Sequence, residues 1–130
     1  MIYDPDTPIP LIVPVSCPVA DRPEDAPRLI GKMKIKVHPD SQAFQIYQQS
    51  EIEENFHCNF ELNQAFQEQL EAAGVRITGL GENGEARIIE LANHRFFLGT
   101  GYMPQLTSVE GKPHPLIVAY LEAVLNFANG

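Results

Sequence analysis

Two cysteines and four histidines are the residues of this 130-residue chain best suited to chemistry. Cys58 directly follows His57, and Cys17 closes an apolar stretch far upstream. An imidazole beside a thiol can lower its pKa and make it a nucleophile. Neighbours on a strand point to opposite faces, however, so His57 and Cys58 read first as one buried and one exposed side chain. A second arrangement brings Cys17 and Cys58 together at strand ends, as a redox or covalent thiol site. Against it stands the packing reading, in which both are small buried side chains. His114 precedes Pro115 and fits a helix cap, His94 falls in a turn, and His38 precedes Pro39 in a loop. Histidines so scattered, with no closely spaced Asp or Glu, give no metal site, and no cofactor is expected. Met103 reads as core filler, and Glu51, Glu53 and Glu54 as a solvated strand edge. Gly79, Gly81 and Gly84 precede no helix, which argues against a phosphate loop.

The elements that must position these residues follow from periodicity and punctuation. Ile9–Ser16 is an Ile- and Val-rich strand kept short, bent or at an edge by Pro10 and Pro14. Asp21–Pro27 is a loop. Met33, Ile35 and Val37 alternate with lysines, giving a half-exposed strand over Ile30–Val37. Asp40 or Ser41 caps a short helix through Gln49, with Phe44 and Tyr47 inward. Glu51–Leu62 reads as one strand. Asn63 caps a helix over Gln64–Ala73, stopped by Gly74. Val75–Leu80 and Ala86–Leu91 form a hairpin around Asn83-Gly84, a pair that favours positive dihedrals at both turn positions. Phe96–Tyr102 is the last strand. A final helix starts at Pro115, with the apolar stripe Leu116, Ile117, Tyr120, Leu121, Val124, Leu125 and Ala128. Mixed strands and helices with a hairpin give an α/β or α+β class.

Composition narrows the function. Residues 1–130 fit one domain, and a hydrophobic fraction of 44% supports a packed core. With 17 acidic against 9 basic residues the net charge is −8, which repels phosphate backbones and makes nucleic acid an unsuitable partner. No apolar run reaches the ~20 residues of a membrane span. Met1–Pro10 lacks the basic start and apolar core of a secretory signal, so the expected compartment is the cytoplasm.

Two ordered stretches carry a family signature. One is Phe56-His57-Cys58-Asn59-Phe60-Glu61-Leu62-Asn63, followed by Leu70-Glu71-Ala72-Ala73-Gly74. The other is Ile89-Glu90-Leu91-Ala92-Asn93-His94-Arg95-Phe96-Phe97, followed by Gly101-Tyr102-Met103-Pro104-Gln105 and His114-Pro115-Leu116. This order resembles the last third of CTP synthase, within its class I glutamine amidotransferase domain. There the text runs R-H-R-Y-E-V-N, V-E-L-P-x-H-P-F-F, F-H-P-E and H-P-L-F. The resemblance covers residues 28–130, after a strand and irregular loop in 1–27. It implies an α/β fold of flavodoxin-like type, here its C-terminal half, with a mixed sheet, a hairpin and about three helices. Small stand-alone relatives of that domain, some of them selenoproteins, are similar in reading H-C-N-[FY] and in replacing F-H-P-E.

The departures decide what the resemblance implies. No glycine-flanked cysteine elbow, the family's nucleophile, precedes Ile9. Met103 and Gln105 stand where the family has its catalytic histidine and the glutamate that orients it. A thioether cannot take a proton from a thiol, and a neutral amide cannot stabilise an imidazolium. Asn59 stands where an arginine grips glutamine, and Phe60 replaces the adjoining tyrosine. A carboxylate would lose its guanidinium fork there. The expectation is a catalytically degenerate binding or assembly subunit, working as a homo-oligomer or with a separate N-terminal half-domain. Two other readings stay open: one half of a split enzyme whose nucleophile lies on another chain, and a thiol activity at Cys17 and Cys58.

Overall fold

The computed structural model describes residues 6–14, 30–57 and 60–130. The alternation read in the lysine-rich segment becomes β2 (Ile30–Val37), which pairs antiparallel with β3 (Glu51–His57) so that Ile35 faces Ile52. Between them lies α1 (Gln42–Tyr47). Of the two candidate caps Ser41 is the one used: its side chain accepts the Phe44 N–H. The helix stops two residues short of Gln49, because Gln48 turns left-handed at φ 55. A helix of six residues is far below the length that holds itself together in water. Glu90 supplies what is missing, its two oxygens accepting the Gln42 and Ala43 N–H groups at 2.8 and 3.4 Å.

The segment expected as one strand over 51–62 splits in two. β3 ends at His57, and β4 (Phe60–Leu62) pairs antiparallel with β1 (Ile12–Pro14) in a separate two-stranded sheet. Asn63 then caps as anticipated, accepting the Ala65 N–H, but the first turn is a tighter 3₁₀ segment, Gln64–Phe66. α2 (Gln67–Ala72) follows, and Gly74 takes the left-handed stop at φ 98.

The hairpin forms from β5 (Val75–Leu80) and β6 (Ala86–Leu91), though not with the expected two-residue turn. Among the described non-glycine residues only Gln48 has positive φ, so Asn83 does not adopt it, and Gly84 alone does so here at φ 82. The Gly84 N–H instead closes on the Gly81 carbonyl, and the Asn83 N–H is taken by the Glu85 carboxylate at 2.9 Å. A side chain of the loop thus outbids the primed turn. β7 (Leu98–Thr100) is only three residues of the strand expected over 96–102, and pairs antiparallel with β6 at the sheet edge. The five-stranded order is β3-β2-β5-β6-β7, and every ladder among the described residues is antiparallel.

α3 (Pro115–Asn129) closes the chain, with His114 accepting the Leu116 N–H as its cap. The core gathers Ile35, Val37, Ala43, Ile52, Ile88, Tyr102 and Leu116. Gly79 passes under Ile88 so closely that a Cβ would lie 2.5 Å from Cγ1. The apolar stripe of α3 is mostly not buried. Leu116 is buried and Ile117 half-buried, while Tyr120, Leu121, Val124, Leu125 and Ala128 are exposed, and the helix turns Val118, Ala119, Glu122 and Asn126 toward α1 across an open groove of about 990 Å³. Among the described residues no helix is long and apolar enough to cross a membrane. The architecture is α/β with a hairpin and three α-helices, as the resemblance implied.

Candidate functional site

The segments that hold Phe60 and Met103 both reach Arg87. Phe60 opens β4, and its neighbour Glu61 is buried against the Arg87 guanidinium, Oε2 to Nη2 2.9 Å. The same Nη2 donates to Glu85 Oε1 at 3.0 Å. The Arg87 carbonyl accepts the Gly101 N–H at 2.8 Å, and two residues on the Met103 N–H reaches the Asn55 carbonyl of β3 at 3.1 Å. Met103 therefore sits at the entry of a 3₁₀ turn, Pro104–Leu106, while Gln105 in that turn is exposed to solvent. Arg87, Glu61 and Glu85 are all buried. Burial alone would raise the Glu85 carboxyl; hydrogen bonds from its own backbone N–H and from Arg87 outweigh that and hold it below the ordinary range. The Arg87 Nε–H is buried with no acceptor among the described residues. Two carboxylates sharing one guanidinium nitrogen is a structural joint between the sheets. It offers no nucleophile and no base.

His57 ends β3 opposite Ile30. Cys17, Cys58 and Asn59, on which the thiol readings and the arginine comparison were placed, lie outside the described residues.

A second polar cluster was not legible as a site. Glu54, read as part of a solvated edge, is buried, whereas Glu51 and Glu53 are exposed and Glu53 pairs with Lys32 at 3.1 Å. Ile52 and Glu54 are two apart and share a face, so the period of the strand carried the signal. Glu54 Oε1 accepts from Tyr47 Oη and from His114 Nε2, each at 2.6 Å. Tyr102 Oη lies 2.9 Å from Tyr47 Oη. Since Tyr47 spends its one proton on Glu54, Tyr102 donates to Tyr47. Burial first, then the Tyr102 phenol and Glu54, push the Tyr47 phenol far above the ordinary tyrosine range. Burial likewise carries Tyr102 upward, against the lowering effect of its bond with Tyr47 and with help from Glu54.

An imidazole hydrogen-bonded to a carboxylate is the base half of many nucleophilic sites. Here it cannot act so. Nδ1 accepts the Leu116 N–H at 3.1 Å, which assigns the proton to Nε2 and leaves no lone pair for a nucleophile's hydrogen. The cluster is a clamp joining α1, β3, the segment after β7 and the start of α3. No group of three or more His, Cys, Asp or Glu among the described residues could hold a metal ion.

Comparison with known proteins fits this geometry. No family model matches the chain. The CTP synthase of Syntrophus aciditrophicus is 33% identical over 126 residues, 96% of this chain but 23% of that protein. Those of Flavobacterium johnsoniae and Chlamydia muridarum are 33% and 34% identical, over 75% and 76% of this chain and 18% and 19% of their own lengths. The chain thus spans less than a quarter of the curated relatives it matches. Among solved structures, the glutaminase domain of Trypanosoma brucei CTPS with bound acivicin superposes with a TM-score of 0.77 at 22% identity. It covers 89% of this chain and 46% of that one. Sequence matches over nearly the whole chain make it a homologue of part of CTP synthase, and its fold is that of part of the CTPS glutaminase domain.

Proposed function

We propose that the chain is a catalytically degenerate glutamine amidotransferase-like protein that works by binding or assembly and does not hydrolyse glutamine. What supports this is the pair Met103 and Gln105, which the resemblance sets where the family has its base and orienting acid. His114, a buried histidine among the described residues, does not stand in for them, because its acceptor nitrogen is occupied by a backbone N–H. The binding half of the reading rests on the exposed apolar residues of α3 and on β7 standing at the sheet edge among the described residues. A cytoplasmic location and a partner that is a second copy or a separately encoded N-terminal half-domain belong to the same proposal.

Ammonia release from glutamine tests it directly. The purified chain should stay at the buffer background, and the double substitution Met103→His, Gln105→Glu should stay there too, because no activated nucleophile accompanies the restored pair. Turnover by the unmodified protein would overturn the proposal. Loss of that turnover in Cys58→Ala would point instead to the thiol reading.

A further inference from the structure

An asparagine side chain can cyclise onto the backbone nitrogen that follows it, provided that nitrogen is sterically open and the side-chain amide is free to turn. Of the chain's asparagines only Asn83 and Asn129 precede glycine, the residue with no Cβ to crowd the attack. Asn129 is the last residue of α3, and a hydrogen-bonded helical backbone resists the rotation that ring closure needs. Asn83 stands in the β5–β6 loop, exposed like its neighbours Glu82 and Gly84. Exposed loop tips are where a chain tolerates, and undergoes, covalent change.

The loop leaves the reaction open. Contacts at Asn83 use its main chain: the N–H goes to the Glu85 carboxylate at 2.9 Å, and the carbonyl accepts Gln64 Nε2 at 3.4 Å. Its side chain makes no hydrogen bond among the described residues, so the amide can turn toward the backbone. Gly84 sits at φ 82, with nothing within 4 Å of the place a Cβ would take. Its N–H is held by one long bond, 3.2 Å to the Gly81 carbonyl.

We propose that Asn83 is a self-modifying site, which deamidates in the folded chain and thereby releases this loop from the segment 64–67. The Gly84 nitrogen attacks Asn83 Cγ. The N–Cγ bond forms, the Cγ–Nδ2 bond breaks, and ammonia leaves with the proton from Gly84. Water then opens the cyclic imide. Opening at Cγ gives aspartate on an unchanged backbone; opening at the main-chain carbonyl carbon gives isoaspartate, whose backbone runs through Cγ. Either product adds a negative charge beside Glu82 and Glu85. Isoaspartate does more, because the carbonyl that met Gln64 becomes a free carboxylate and the backbone gains an atom. Gly84 then loses its closure on Gly81, and its carbonyl moves off Gln67 Nε2, which it meets at 3.2 Å.

The whole purified chain, held in warm, mildly alkaline buffer and sampled over days, is read by anion exchange and by peptide mass spectrometry. A species with one more negative charge should accumulate, its Asn83 peptide split into two products of equal mass. Asn83→Gln, at the same exposed position, should abolish that species, since its longer side chain closes a ring far more slowly. Asn83→Asp supplies the aspartate form alone. Hydrogen exchange should find the Gly81 and Gly84 amides protected in that form and faster in the isoaspartate fraction. An Asn83 peptide that stays unmodified, or change confined to the Asn129 peptide, overturns the proposal, as does a mass shift that persists in Asn83→Gln. Equal protection in both products overturns the release of the loop. Each Asn83 frees one ammonia at most and needs no glutamine, so this site and the loss of glutaminase activity fail separately.

Discussion

At the scale of single residues, His114 does two jobs that can be separated. Its Nδ1 caps α3, and its Nε2–H holds Glu54. His114→Ala should cost about 3 kcal/mol, roughly one for the cap and the rest for a buried carboxyl stripped of a donor. His114→Asn restores a capping oxygen but cannot span to Glu54, so it should recover about 1 kcal/mol of that loss in urea unfolding. Equal effects of the two substitutions would mean that the cap contributes nothing. The titrations act in opposite directions. Glu85 is held below its ordinary value of 4.5, so its contribution is complete above that pH and is lost as pH falls through the lower folded value. Tyr47 and Tyr102 are raised above their ordinary 10.0, so theirs is complete below pH 10.0 and is lost as pH rises toward the folded values. Stability plotted against pH should fall at both ends. Phe substitutions at 47 and 102 should flatten the alkaline limb and leave the acid one.

At the scale of elements, α1 depends on a side chain from another strand. Glu90→Ala removes the acceptor of two helix N-terminal N–H groups and should cost about 1–2 kcal/mol, with hydrogen exchange accelerating first at Gln42 and Ala43. If those amides stay protected, Ser41 alone sustains the helix. Such caps explain what the sequence made legible. Ser41, Asn63, Gly74 and His114 were readable because a cap needs a particular residue type at one place, whatever surrounds it. Asn83-Gly84 announced a hairpin for the same reason. Long-range contacts left no such mark. Glu54 and His114 are 60 positions apart, Arg87 and Glu61 26, and nothing local distinguishes a carboxylate that will be buried from one that will be solvated. The α3 stripe was legible as an apolar face, but periodicity reveals that a face is apolar and not what covers it. Of the altered family site, Phe60, Met103 and Gln105 fall in described segments, while the cysteine readings depend on residues beyond them.

At the scale of the whole molecule, an ion pair ties the two sheets together among the described residues. The β1–β4 pair is three residues wide, too small to persist in water by itself. Glu61 reaches from β4 to Arg87 of the five-stranded sheet, and Arg87 is held in turn by Glu85 and by the Gly101 N–H on its carbonyl. Arg87→Met keeps the length and apolar stem of the side chain while removing the guanidinium from two buried carboxylates. It should destabilise the protein by about 3 kcal/mol. The loss should not be uniform. Amides of 12–14 and 60–62 should exchange fastest, while the ladder between Ile35 and Ile52, built on apolar packing, keeps most of its protection. Glu61→Gln with Glu85→Gln in the same background should return part of the stability, because neutral amides no longer need a counter-charge. Uniform loss of protection across both sheets would mean that they unfold as one unit and that the ion pairs decorate a joint held by something else. A selective loss would make Arg87 the hinge pin between the part of the fold that carries the altered family positions and the part that carries α3.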